Sequence, residues 1–236
     1  MVAQTDPSVF EELDIASNLH THWRNGPMAP WMVNMLIENG FRWVVLGMPN
    51  TKPNALLEGD DAIEYFRREI KEDAEYVAAT IAVQYLAFTS DDVLGYSEAS
   101  KGLIQVHNGC KPQYKDPEDR EAVQEAALSG DSRFFYGGDD AAHFESAKHE
   151  GACGTFSTPV AIPWLISWFK KQDAYPKLNP FLAHYGPDYY GFDRPEGKLI
   201  FQKKTWKVQP KYPVPGTIQS VVPLFAGEEM EYQLVN

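Results

Sequence analysis

The sequence predicts an α/β fold in which short parallel strands alternate with flanking helices, and three observations predict it. Twice within the first 71 residues an apolar run leads through a loop into apolar residues at helical spacing. The second of those runs, Phe41 to Leu46, is almost continuously apolar and aromatic, as expected for a strand covered on both faces. Both runs empty into loops rich in chemically capable side chains, His20-Thr21-His22-Trp23-Arg24 and Met48-Pro49-Asn50-Thr51-Lys52-Pro53.

The elements follow in order. Ile15 to Leu19 reads as a short strand leading into the histidine pair, and Met28 to Glu38 as a helix closed by Gly40. Phe41 to Leu46 is the second strand. Asp60 to Lys71 is its helix, with Ile63, Phe66 and Ile70 on one side and charge on the other. Tyr76 to Val83 is a third strand. Glu118 to Leu128 is a helix, Arg133 to Tyr136 the last strand, and Pro159 to Lys171 an apolar helix rich in tryptophan. The Pro-rich remainder after Pro176 reads as loops and short strands. A complete eight-stranded β/α barrel usually takes about 250 residues before any tail is added. At 236 residues the expectation is an incomplete TIM-like (β/α) barrel of roughly four to five parallel strands with an irregular carboxy-terminal tail.

Charge and composition narrow the function classes. Thirty-three acidic against 21 basic residues give a net charge of −12, which argues against nucleic acid as a partner, since a phosphate-backbone binder shows a basic face. Cys110 and Cys153 have neither Cys-x-x-Cys spacing nor a disulfide-dense context, so a reducing compartment is expected. Met1 to Asp14 reads as neither a signal nor a transit peptide, and no stretch approaches the ~20 apolar residues of a membrane span. The expected location is the cytoplasm, with an organelle matrix as the alternative, and no membrane insertion.

Successive side chains of a strand point to opposite faces, so His20 and His22 point the same way and can grip one metal ion. Neutral imidazole is a preferred zinc ligand, and hydrolytic zinc sites keep one position open for water. On spacing alone, an ordinary pair of surface or core histidines is the commoner reading of His-x-His.

The surrounding motifs add a specific signal. His20-Thr21-His22-Trp23-Arg24 with Met48 to Pro53 resembles the dihydroorotases of the amidohydrolase superfamily, of the single-function bacterial and plant type. Val106 to Pro112 is similar to the family's Pro-His-Leu-Tyr-Cys-Leu-Pro, and Gly137 to His143 to its Gly-Thr-Asp-Ser-Ala-Pro-His. Phe156-Ser157-Thr158-Pro159, Gly186 to Gly191 and Pro223 to Glu228 resemble the family's later motifs in the same order.

That resemblance implies zinc-assisted hydrolysis of a cyclic amide. His20, His22 and Asp139 match metal ligands, and Asp139 also matches the general base. Arg24, Asn50 and His143 match positions that hold the substrate carboxylate, Asn108 stands where a backbone meets the pyrimidine ring, and Cys153 lies near a small residue that touches substrate. The resemblance also implies that the third strand corresponds to the family's seventh and is followed by a loop over Gln84 to Phe88. About four β/α units, with the bridging carboxylated lysine and two central metal-binding histidines, are then absent. His107 matches a family histidine that is not a ligand; rehousing a second metal on His107, His149 and His184 would need a new geometry.

The chain is therefore expected to form a single shortened domain, with residues 1–75 as the first two β/α units, 76–158 as the last units and 159–236 as the final helix and tail. Three functions are open. The first is a degenerate, non-catalytic structural or interaction subunit. The second is a cyclic amidohydrolase of pyrimidine biosynthesis with one zinc ion at most, and the third is a sensor of a carboxylated pyrimidine precursor. An open barrel exposes two sheet edges and an apolar inner face, so a homodimer or a place in a larger assembly is expected.

Overall fold

The computed structural model describes residues 9–22, 26–46, 78–98 and 100–235. The chain starts with β1 (Phe10–Asp14), an acidic strand in which Leu13 is the buried residue, and continues into the almost wholly buried β2 (Ala16–Thr21). β2 is the strand expected over Ile15 to Leu19, extended to Thr21. α1 (Met28–Glu38) has the expected bounds, with Met28, Trp31, Met32, Met35 and Leu36 turned inward at helical spacing. Gly40 follows at φ +90°, and a Cβ there would stand 2.7 Å from Leu199 Cδ1, so a turn without a side chain lets the chain double back. β3 (Phe41–Leu46) also has the expected bounds. The helix expected over Asp60 to Lys71 lies outside the described residues.

The third strand is shorter than expected. β4 (Ala79–Ile81) gives way at Val83 to α2 (Val83–Ala87), which occupies most of the segment expected as a loop. A capping box between Thr89 and Asp92 then opens α3 (Ser90–Leu94). α4 (Pro117–Leu128) begins on a proline with Glu118 and Asp119 in its first turn, both suited to a helix amino terminus. β5 (Phe134–Tyr136) is fully buried, and α5 (Glu145–His149) and α6 (Ala161–Lys171) follow. In α6 the residues Ala161, Ile162, Leu165, Ile166 and Phe169 are buried and Lys170 and Lys171 sit in the last turn.

The tail departs most from expectation. After Pro180 the chain is helical through a wide turn (Pro180–His184) and α7 (Tyr185–Tyr190), and then forms β6 (Lys198–Lys207), β7 (Tyr212–Pro213), β8 (Ser220–Val221) and β9 (Glu229–Leu234). β6 is ten residues long and lies between β1 and β9 in an antiparallel sheet, with Phe10 opposite Gln202 and Phe201 opposite Leu234. Alternation explains it: Leu199 and Phe201 are buried while their neighbours are more exposed.

β2 pairs with β3, and β4 with β5, both in parallel. The residues after β5 join the two pairs. Asp140 bridges Thr21 in parallel, Asp139 N donates to His20 O at 2.7 Å, and His22 N donates to Asp140 O at 2.7 Å. The four parallel strands among the described residues thus lie in the order β3-β2-β5-β4. One apolar core packs these strands against α6 and the helical part of the tail; a smaller one gathers Met28, Trp31, Met32 and Met35 with Phe156, Val214 and Val221. No helix among the described residues is long and apolar enough to cross a membrane.

Candidate metal centre

The join between β2 and the end of β5 is where His20, His22 and Asp139 meet. His20 Nε2 and His22 Nε2 are 3.1 Å apart, and Asp139 Oδ1 lies 3.5 Å from the first and 3.2 Å from the second. A zinc–nitrogen distance of 2.0–2.1 Å in a tetrahedron puts neighbouring ligand atoms about 3.3 Å apart. The three donors therefore have the mutual spacing of one tetrahedral face.

The local sequence builds this arrangement. Period-two geometry at the end of β2 turns both imidazoles to one side. Thr80 Oγ1, from β4, sits 3.0 Å from His20 Nδ1 and fixes that ring. Burial, with His22 as a further contributor, lowers the His20 pKa against the opposing pull of Asp139, which favours the neutral ring that a metal needs. Asp139 itself adopts φ +47°, a left-handed conformation that aspartate tolerates better than most residues.

Behind the three donors is a buried polar scaffold. Asn18 Oδ1 accepts the Gly138 N–H at 2.8 Å, and Gln84 Nε2 donates to Gly138 O at 3.3 Å. Asp140, fully buried, receives the Ser157 N–H, the Ser157 hydroxyl and the Thr158 N–H on Oδ1 and the Thr158 hydroxyl on Oδ2. Burial pushes its carboxyl up to about 6, against those hydrogen bonds. The Asp140 carboxyl is thus sealed under Ser157 and Thr158 and is not a solvated loop side chain.

The remaining expected site residues divide. His143 Nε2 lies 2.9 Å from Cys153 O, so those two are brought together. The loop that carries them leaves Asp140 and returns beside it, because Thr155 bridges Asp140 and accepts the Ala141 N–H. Asn108 ends a single turn (Val106–Asn108); its N–H already donates to Gln105 O at 3.0 Å and its carbonyl accepts the Tyr114 hydroxyl at 2.8 Å. Lys148 ties this segment down: its Nζ, buried and with its pKa lowered to about 8 by desolvation, donates to Gly109 O and Gly154 O. Arg24 and Asn50 lie outside the described residues. Thr80, Asn18 and Gln84 are additions that motif matching passes over, and Asp140, inside the Gly137 to His143 motif, gains a supporting role that the motif does not assign; the Gly137-Gly138 pair is the sequence signal for a crowded turn.

No protein-family model matches the chain. A curated dihydroorotase of Acaryochloris marina is 34% identical over 164 residues, which is 69% of this chain and 45% of that protein. The chain spans about half the length of the curated relatives it matches. Among solved structures, the dihydroorotase of Saccharomyces cerevisiae in complex with 5-fluoroorotic acid is 27% identical with a TM-score of 0.66, over 88% of this chain and 55% of that one. The Campylobacter jejuni dihydroorotase superposes with a TM-score of 0.75 at 21% identity, over 96% of this chain and 97% of that one, a likeness of fold alone. Motif order, curated relatives and superposition agree: this chain has a dihydroorotase-like amidohydrolase fold.

Proposed function

We propose that this protein holds a single zinc ion on His20, His22 and Asp139 and opens a cyclic amide of the dihydroorotate class. The observation that carries the reading is the separation of 3.1 to 3.5 Å among the three donor atoms. The two imidazole nitrogens can share a hydrogen bond at 3.1 Å when one ring carries its proton on Nε2, and a cation that takes that proton's place is held by both rings and by Asp139. When bound, zinc supplies a Lewis acid and a water of lowered pKa. In this reading Asp139 takes the proton of the attacking water and returns it to the leaving ring nitrogen, the role of a positioned carboxylate acting first as general base and then as general acid. Arg24, Asn50 and His143 hold the substrate carboxylate in this reading, the arginine through its planar fork, with Asn108 and Cys153 flanking the ring.

The test joins metal content to turnover. Purified protein is expected to carry one zinc per chain and to hydrolyse dihydroorotate, and Asp139→Ala to lose both the zinc and about 10²–10⁴-fold in rate. Metal-free, inactive wild-type protein with native circular dichroism overturns the proposal. Thr80→Val, which keeps the side-chain shape but removes the oxygen beside His20 Nδ1, is expected to weaken zinc binding about 10–100-fold in a competitive chelator titration. Unchanged affinity would mean that Thr80 does not orient the ring.

A second reading, a single shortened domain over residues 1–236 kept as a non-catalytic structural or interaction subunit, is favoured by a different observation. The metal cluster here comprises three donors among the described residues, with neither the bridging lysine nor the two central histidines of the family pattern identified in the sequence. Among the described residues β3 and β4 also pair on one side only. Unpaired sheet edges need cover, which a homodimer or a larger assembly supplies. Zinc without turnover, in a particle that light scattering sizes as a dimer or larger, selects this reading; a monomer counts against it.

A further inference from the structure

Two histidines to which the motif comparison gives no metal, His107 and His149, meet at a second place. α5 carries Glu145 and His149 four residues apart, which puts both on one face of the helix. Across from that face is the turn Val106–Asn108, which brings His107 against His149, their ring centroids 5.4 Å apart and their planes at 86°. One ligand-capable atom from each of His107, Glu145 and His149 lies within 4.8 Å of the others. His184, by contrast, is engaged with Asp14 at 2.7 Å and takes no part.

His107 Nδ1 is buried and has no hydrogen-bond partner among the described residues. Buried polar atoms without a partner are uncommon and call for an explanation such as an ion or a water. Glu145 Oε2 accepts from Lys211 Nζ at 3.1 Å and from the Ser220 hydroxyl at 3.5 Å. That ion pair orients the carboxylate and is exposed enough for Lys211 to swing aside. Two imidazoles and one carboxylate are a ligand set that zinc takes while keeping a further position for water.

We propose that His107, Glu145 and His149 form a second binding site for a first-row divalent cation of the zinc class, independent of His20, His22 and Asp139. A cation there would clamp α5 to the turn that ends at Asn108.

Cobalt(II), which reports tetrahedral or five-coordinate nitrogen and oxygen ligation through its visible absorption, is the probe. Titrated into metal-free full-length protein, it is expected to bind with one more tight equivalent in wild type than in His149→Ala. His149 is exposed, so the variant should keep its fold, which circular dichroism checks; Glu145→Gln provides a second, more conservative variant. His22→Ala should retain the equivalent that His149→Ala loses. If the first centre does not bind metal at all, wild type binds one equivalent and His149→Ala none, which separates failure of the two sites. Equal stoichiometry in wild type, His149→Ala and Glu145→Gln, or binding at this site only in the millimolar range, overturns the proposal.

Discussion

Replacing Asp140 with alanine is expected to destabilise the protein by about 3–5 kcal/mol, because a buried carboxyl that accepts several hydrogen bonds leaves more than one donor unpaired when it is removed. Its carboxyl accepts two backbone N–H groups and two hydroxyls from Ser157 and Thr158. Truncation leaves those donors buried with nothing to bond, at about 1–3 kcal/mol for each group that finds no substitute. For a domain of this size the melting temperature should fall by on the order of 10 °C or more. Thermal unfolding followed by circular dichroism checks it, and a fall of less than about 3 °C would show that water or a side-chain shift replaces the carboxyl. The same group gives the stability a pH signature. Its pKa is raised from 3.8 to about 6 in the folded protein, so the folded state holds the proton more tightly than the unfolded chain. The proton-linked part of its contribution is fully present below the unfolded value of 3.8 and is lost as the pH rises through about 6, leaving the part that does not depend on pH. Urea unfolding at several pH values should show the wild-type advantage over Asp140→Ala shrinking across that window and level above it.

Gly137→Ala is expected to disable the metal centre while touching none of its ligands. A Cβ at this position would stand 2.7 Å from Thr80 Cβ on β4 and 2.8 Å from His20 Cβ on β2. Overpacking of this kind costs about 1–3 kcal/mol, and here it falls on the contact that seats His20 beside Thr80. Zinc affinity should drop at least as far as in Thr80→Val, and calorimetric titration measures it. Gly138→Ala is a harsher companion, because its Cβ would meet Asn18 Nδ2, Asp140 Oδ2 and Tyr136 OH at 2.7 to 2.8 Å. A Gly137→Ala protein that binds zinc like wild type would show that β2 and β4 can separate at this point.

Some of this architecture is legible in the sequence for plain physical reasons. α1 and β3 have the expected bounds because an apolar stripe closed by Gly40 and a run of bulky apolar residues are both strong local signals. His20 and His22 face one way because strands alternate. β1 is missed because Phe-Glu-Glu-Leu-Asp buries one residue; its partner, β6, lies far along the chain. The helical stretch from Pro180 to Tyr190 is hidden by its prolines and glycine, which packing against β2 and β5 overrides. At the site, motif order identifies the ligands but not what holds them. Thr80 and Asp140 act through contacts with residues 60 and 17 positions away, and no local pattern encodes those.

The donors of the proposed zinc site straddle a seam whose two sides, Thr21 and Asp140, are 119 residues apart in the chain. A cation seated there is a rivet between distant stretches, closing a loop that the unfolded polypeptide would otherwise leave free. Metal exchange and opening of that seam then become one event: the half-life of the ion in excess chelator should lengthen and shorten with every substitution that strengthens or weakens the β2–β5 join.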